Sequence, residues 1–175
     1  GGQIKDEWDT SFPIIAGDFA RHLQSENKVR MAGGQEPFPM DETLTESLEV
    51  SPRNLIQSTH WPNIDLLGSQ LNLYWAEFQI PVWRMQSGSW PLWDALLNGL
   101  ENGGILDEYD IVLLDTPPAL GYLTINALSA ADILLVPLGA SFLEFDSTGR
   151  FFDMLYSTFA SIEEGENAQL RHRGL

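Results

Sequence analysis

Residues Tyr109-Asp110-Ile111-Val112-Leu113-Leu114-Asp115-Thr116-Pro117-Pro118-Ala119-Leu120-Gly121 decide how this chain is read. Four apolar residues run straight into an aspartate, and two prolines and a glycine then break the chain. A short continuous apolar run closed by turn residues predicts a strand buried on both faces of a parallel sheet. An acid at the carboxyl end of such a strand stands where open α/β sheets hold their ligands. The bland alternative is that Asp115 only caps a turn.

Working downstream, Leu123 to Ala131 predicts a short helix with Leu123, Ala127 and Leu128 inward. Asp132 separates it from Ile133-Leu134-Leu135-Val136-Pro137-Leu138, a second buried strand. Phe151, Leu155, Phe159 and Ile162 fall at i, i+4, i+8 and i+11, which predicts a long amphipathic helix from Phe145–Ser147 to Gly165. Upstream, Leu92, Ala95, Leu96 and Leu100 make one apolar face of a helix over 90–101. Ser89 is placed to cap it, and Asn102-Gly103-Gly104 to end it. Residues 70–79 predict a helix stopped by Pro81, with 82–88 irregular, and Ile64–Gly68 predicts a strand leaving a turn. Thr43 and Glu46 form a capping box for a helix over 42–49. At the start, Phe12–Ala16 predicts a short strand, Gly17-Asp18 a turn and cap, 18–26 a helix and Lys28–Met31 a weak strand. Apolar strands alternating with helices imply βαβ crossovers and a parallel sheet.

The chain has 175 residues, enough for one α/β domain over 12–165 between a polar arm (1–11) and a tail (166–175). At 43% hydrophobic and 19% charged, it is not of disordered composition. With no cysteine it has neither disulfides nor thiolate metal sites, which fits a cytoplasmic setting. No apolar run is long enough to cross a membrane, and no signal peptide is visible. The formal charge of −16 repels phosphate backbones, so this chain alone is expected to bind DNA weakly if at all. His22, His60 and His172 are far apart, without metal-ligand spacing.

The stretch Tyr109–Asp132, completed by Pro137, resembles the Walker B and switch II region of the ParA/MinD-type deviant-Walker ATPases. Their pattern runs YD-hhh-D-x-PP-x-x-G-x-LT-x-NAL-x-AAD-hhh-P. Glu42-Thr43-Leu44 and Asn63–Ser69 are similar to the same family's "TL…pniDLiPs" stretch, and Gly139–Gly149 resembles its plasmid-partition (RepA-type) branch. The resemblance covers roughly residues 41–165. It implies a three-layer P-loop NTPase-like fold with a mainly parallel sheet flanked by helices. It also implies ATP binding and hydrolysis with Mg2+, a homodimer, a centromere-binding partition partner, and a role in segregating DNA. It places Asp115 as the acid holding a magnesium-bound water, Thr116, Pro117, Pro118 and Gly121 as the switch, and Asn126 and Asp132 as structural residues.

The family's phosphate loop, of the KGGxGKTT kind, is not found. The only lysines are Lys5 and Lys28, neither in a glycine-rich setting, and Gly17 is the one glycine where that loop is expected. The family's switch I acids are also missing, since Arg30–Gln35 supplies none. Two readings follow: a ParA-type partition ATPase given by a partial or atypically started chain, or a degenerate, non-catalytic relative acting through protein–protein interaction.

Overall fold

The computed structural model describes residues 11–69, 71–117, 119–137, 139 and 142–166. Most of the expected arm, Pro118, Leu138 and the tail beyond Glu166 therefore lie outside the described residues. Among the described residues the chain forms α1 (Phe12–Ala32), α2 (Glu42–Glu49), β1 (Ile56–Ser58), β2 (Asp65–Leu67), α3 (Trp75–Gln86), α4 (Ala95–Asn102), α5 (Tyr122–Ala130) and α6 (Phe142–Glu166). Short 3-10 turns precede β1, α3 and α4.

The first correction concerns the N-terminal region. The strand expected over 12–16, the turn at Gly17-Asp18 and the strand at 28–31 are all one helix. Ile15, Ala16, Phe19, Ala20 and Leu23 are buried at intervals of three and four residues, a helical stripe. Pro13 sits in the first turn, where its missing N–H is not needed. Glycine inside a helix costs about 1 kcal/mol relative to alanine. At position 17 that cost is offset by a close approach: a Cβ there would lie 2.9 Å from the Ser47 carbonyl oxygen of α2. A Cβ at Gly99 of α4 would run into Ile14 Cγ2. Both neighbours of α1 therefore pack through glycine notches.

Helix α2 begins one residue before the expected cap, because the Asp41 Oδ1 accepts a hydrogen bond from the Leu44 N–H at 2.9 Å. Helix α3 does not stop at Pro81 but carries on to Gln86, through residues expected to be irregular. Ala76, Ile80 and Trp83 are buried on either side of the proline, and Trp83 stacks on Phe19 with ring centroids 5.3 Å apart. That tertiary packing outweighs the roughly 3 kcal/mol penalty of an internal proline. Ser89 is not the cap of the next helix: a 3-10 turn at Leu92–Asp94 leads into α4, which ends at Gly103 as expected. Helices α5 and α6 match their expected spans closely.

The strand expected over 64–68 is β2. It pairs antiparallel with β1, Ile56 opposite Leu67 and Ser58 opposite Asp65. The connecting turn holds Asn63 at φ 63° and is tied by the Thr59 hydroxyl donating to Ile64 O at 2.6 Å.

The larger correction concerns the mainly parallel, three-layer sheet. Among the described residues the only sheet is the β1–β2 pair; residues 109–115 and 133–137 form no strand. Ile111 is 76% exposed, Leu113 80%, Ile133 77% and Leu135 75%, while Leu114, Leu134 and Val136 are half-buried. Along 133–137 burial alternates with a period of two, the rhythm of a strand. What is missing is the ladder. A strand's backbone groups are satisfied only by a neighbouring strand. No described residue supplies one here, and residues 12–16, expected as a strand, fold as helix.

Three apolar clusters hold the described residues together. One packs α1, α2 and α3 around Phe19, Leu23, Ile80, Trp83 and Trp90. A second joins α5 to α6 through Ile125, Leu128, Leu155, Phe159 and Ile162, with Leu134 against it. The third gathers Ile14, Leu55, Leu100 and Ile105. The fully buried Asn126 locks α5 to α4: its Oδ1 accepts from the Leu96 N–H at 3.1 Å and its Nδ2 donates to Tyr122 O at 3.0 Å. This is the structural part expected of it.

Candidate functional site

The site expected from sequence is the passage from Asp115 into α5. Asp115 and Thr116 are exposed, Pro117 is half-buried, and among the described residues Asp115 makes no hydrogen bond or ion pair. The turn that follows is fixed from two sides. Thr124, on the first turn of α5, donates its hydroxyl to Ala119 O at 2.6 Å, with Pro117 O at 3.5 Å. Glu77, projecting from α3, accepts from the Tyr122 N–H at 2.7 Å and the Leu123 N–H at 2.9 Å. A carboxylate at a helix N-terminus satisfies donors that have no partner within the helix and meets the positive end of the helix dipole.

This explains Gly121 physically. A Cβ at that position would lie 2.6 Å from Glu77 Oε1 and 2.7 Å from Oε2. A side chain there would push the Glu77 carboxylate aside. Beside it, a groove of about 840 Å³ runs between α5 and α6, walled by Glu77, Trp93, Tyr122, Met154 and Thr158. Trp93 and Tyr122 stack at 5.4 Å, nearly parallel, on its floor.

Gly17 is not near a turn. It lies inside α1, facing Ser47 of α2, and the first turn of that helix carries the buried Pro13, Ile14 and Ile15. A phosphate cradle needs free backbone N–H groups converging at a loop and helix start; this helix start is apolar. Among the described residues no group of three His, Cys, Asp or Glu side chains is placed to hold a metal ion. The described residues thus supply one exposed acid and no cradle, and as a set they do not fit a magnesium nucleotide.

Sequence inspection missed a polar cluster on α1. Asp18, His22 and Glu26 recur at every fourth residue and face the loop after α3. Asp18 Oδ2 accepts from the Trp90 indole N–H at 2.9 Å. Burial pushes its carboxyl above the ordinary value, against the opposing pull of Trp90, Arg21, His22 and Asn98. His22 Nε2 lies 3.0 Å from Ser87 Oγ and 3.2 Å from Ser89 Oγ, and Ser87 donates to Glu26 Oε2 at 2.5 Å. A nucleophilic relay would need the serine and the acid on different ring nitrogens. Here both serines and Glu26, at 3.5 Å, meet the same Nε2, so the cluster is a clamp joining α1 to the 87–90 loop. The i, i+4, i+8 spacing was its sequence signal. His60 stacks against Trp61 in the β1–β2 turn, and His172 lies outside the described residues. Tyr109 donates its phenolic hydroxyl to Asp65 Oδ2 at 2.8 Å, which raises the phenol above its usual value.

An AAA domain family matches residues 24–172. The chain belongs to the ParA/MinD-type ATPase family. It is 32% identical over 108 residues to Protein SopA of Escherichia coli K12, covering 62% of this chain and 28% of that one. It is 31% identical over 152 residues to Cell division protein PomZ of Myxococcus xanthus, covering 86% and 44%. It is 37% identical over 68 residues to Chromosome partitioning protein ParA of the same organism, covering 39% and 23%. The chain therefore spans less than half the length of these relatives.

Proposed function

We propose that this chain serves as a ParA-type partition protein of the plasmid-partition (RepA-type) branch, acting in DNA segregation, with Asp115 at the family's magnesium-acid position and Thr116, Pro117, Pro118 and Gly121 at its switch, in a nucleotide site that the described residues leave incomplete. The observation that carries the reading is the geometry at the start of α5. The acid stands exposed at the end of an apolar segment, and the following turn is held by Thr124 and Glu77. The family likeness over residues 24–172 supports the same reading. Self-association and a centromere-binding partner belong to this proposal. DNA contact by this chain itself stays weak because of its charge of −16.

A second reading, a non-catalytic relative working through protein–protein contact, is favoured by one observation: α1 occupies the place expected for the phosphate loop. Titration with a fluorescent ATP analogue and Mg2+ separates the two. The first reading expects saturable binding that weakens at least tenfold in Asp115→Ala. No binding at millimolar ATP would overturn its nucleotide part and leave the second reading.

A further inference from the structure

A groove of about 390 Å³ opens where α1, α2, the turn at Pro52–Leu55 and the end of α4 meet. None of its lining residues belongs to the 109–121 segment. Two arginines, Arg21 and Arg53, share its wall, although the whole chain has only nine lysines and arginines against 25 acids. Arg53 is committed: its Nε and Nη2 donate to Gly103 O and Gly104 O, both at 3.1 Å, and its Nη1 pairs with Glu108 at 3.1 Å.

Arg21 is not committed. Its Nε is shielded from solvent without a hydrogen-bond partner, and among the described residues its guanidinium makes no hydrogen bond or ion pair. Its charge is felt by Asp18, one turn back on α1. The bare backbone at Gly17 leaves room for its Nη1, which lies 3.3 Å from where a Cβ would be. Shielding a charged donor without giving it an acceptor is unfavourable, and buried donors are normally satisfied by protein, water or ligand. The guanidinium fork matches the two oxygens of a carboxylate or phosphate.

We propose that Arg21 is the anchor of a binding site for a small oxyanion, a phosphate or carboxylate group, in this groove. Arg53 also lines the groove and adds positive potential, and the Asn102 amide and Ser51 hydroxyl offer further donors there. Glu49 also lines the groove and opposes the anion, which weakens binding.

The test is a titration of the 15N-labelled chain with inorganic phosphate, acetate and chloride at matched ionic strength. Phosphate is expected to shift the backbone amides of Gly99, Asn102 and Gly103 saturably, and binding should weaken at least tenfold in Arg21→Gln. Acetate acting on the same amides with the same dependence on Arg21 assigns a carboxylate ligand; phosphate acting alone assigns a phosphoryl group. Equal shifts with chloride, or unchanged binding in Arg21→Gln, would overturn the site. Should that variant fold poorly, the Arg21 Nε–H resonance of the unmodified chain decides: it moves on phosphate addition if the site exists, and a resonance that stays put sinks the proposal.

Discussion

At the scale of single residues, the tightest joint in the candidate site is Glu77 over the start of α5. Two N–H groups of one helix end donate to a carboxylate from a different helix, and the missing side chain of Gly121 is what admits it. Removing the carboxylate in Glu77→Ala should destabilise the fold by about 1–3 kcal/mol, the range for a charge-assisted bond to half-buried donors. Gly121→Ala should cost up to the same amount, because the carboxylate swings away and gives up the same two bonds. Urea unfolding midpoints check both, and a loss below about 0.5 kcal/mol in either variant would show that the cap contributes little. Asp18 gives a prediction in pH. Burial raises its folded-state pKa above the 3.8 of a free carboxyl, with the Trp90 indole, Arg21, His22 and Asn98 pulling the other way. A raised pKa gives stability that is whole below the unfolded value and lost as pH rises through the folded value. Asp18→Asn keeps an oxygen for the Trp90 indole and carries no charge to bury. Its stability relative to the unmodified chain should therefore improve as pH rises above the free value of 3.8. A difference that stays constant as pH rises would mean burial does not govern this carboxyl.

At the scale of elements, α3 shows how tertiary packing decides what sequence pattern leaves open. Its inner face buries Ala76, Ile80 and Trp83, and this packing carries the helix through Pro81. Its outer face exposes Trp75, Phe78, Val82 and Met85 at intervals of three and four residues. With apolar residues on both faces, periodicity cannot tell which side is the core. Exposed positions add little to folding, so Phe78→Glu with Met85→Lys should change the unfolding free energy by less than about 0.5 kcal/mol. The same double variant should bind less of a hydrophobic dye. A large loss of stability would show that this face is packed. Helices α4 and α6 were legible from an apolar stripe and a glycine near the end, Gly103 and Gly165, whereas α5, buried all round over 124–129, was legible from Gly121 and Asp132 on either side of it. Helix α1 was not, because Pro13 and Gly17-Asp18 imitate strand and turn punctuation. The compensation for Gly17 is the Ser47 carbonyl of α2, far along the chain, which no local window contains. In the candidate site, the motif marked Asp115, Thr116 and Gly121, whereas Glu77 carries no signal of its own in the sequence.

At the scale of the whole molecule, the segments 109–115 and 133–137 have the composition of buried strands and the surroundings of surface. Ile111, Leu113, Ile133 and Leu135 are all at least three-quarters exposed. In a chain of net charge −16 they are, like the outer face of α3, places where charge does not protect the surface: Asp110, Asp115 and Asp132 stand only at their ends. The apolar pattern specifies a sheet, but the ladder is a property of pairs, and the described residues provide no second strand for either segment. Amide hydrogen exchange reads this directly, because protection requires a hydrogen bond that opens slowly. Residues 111–116 and 133–136 should show protection close to that of an unstructured peptide. Phe19, Ala20 and Leu23, in the buried middle of α1, should exchange only with global unfolding. Strong protection in both apolar segments at low concentration would mean that they pair within one chain, and would contradict the fold described. Protection that rises with protein concentration would mean that pairing is completed between chains, with the four exposed aliphatics as its contact. The variant Leu113→Lys tells these two cases apart. A charge at the centre of the first segment blunts an exposed edge against pairing with another chain. It should therefore abolish a concentration-dependent gain in protection and leave the exchange of α1 unchanged.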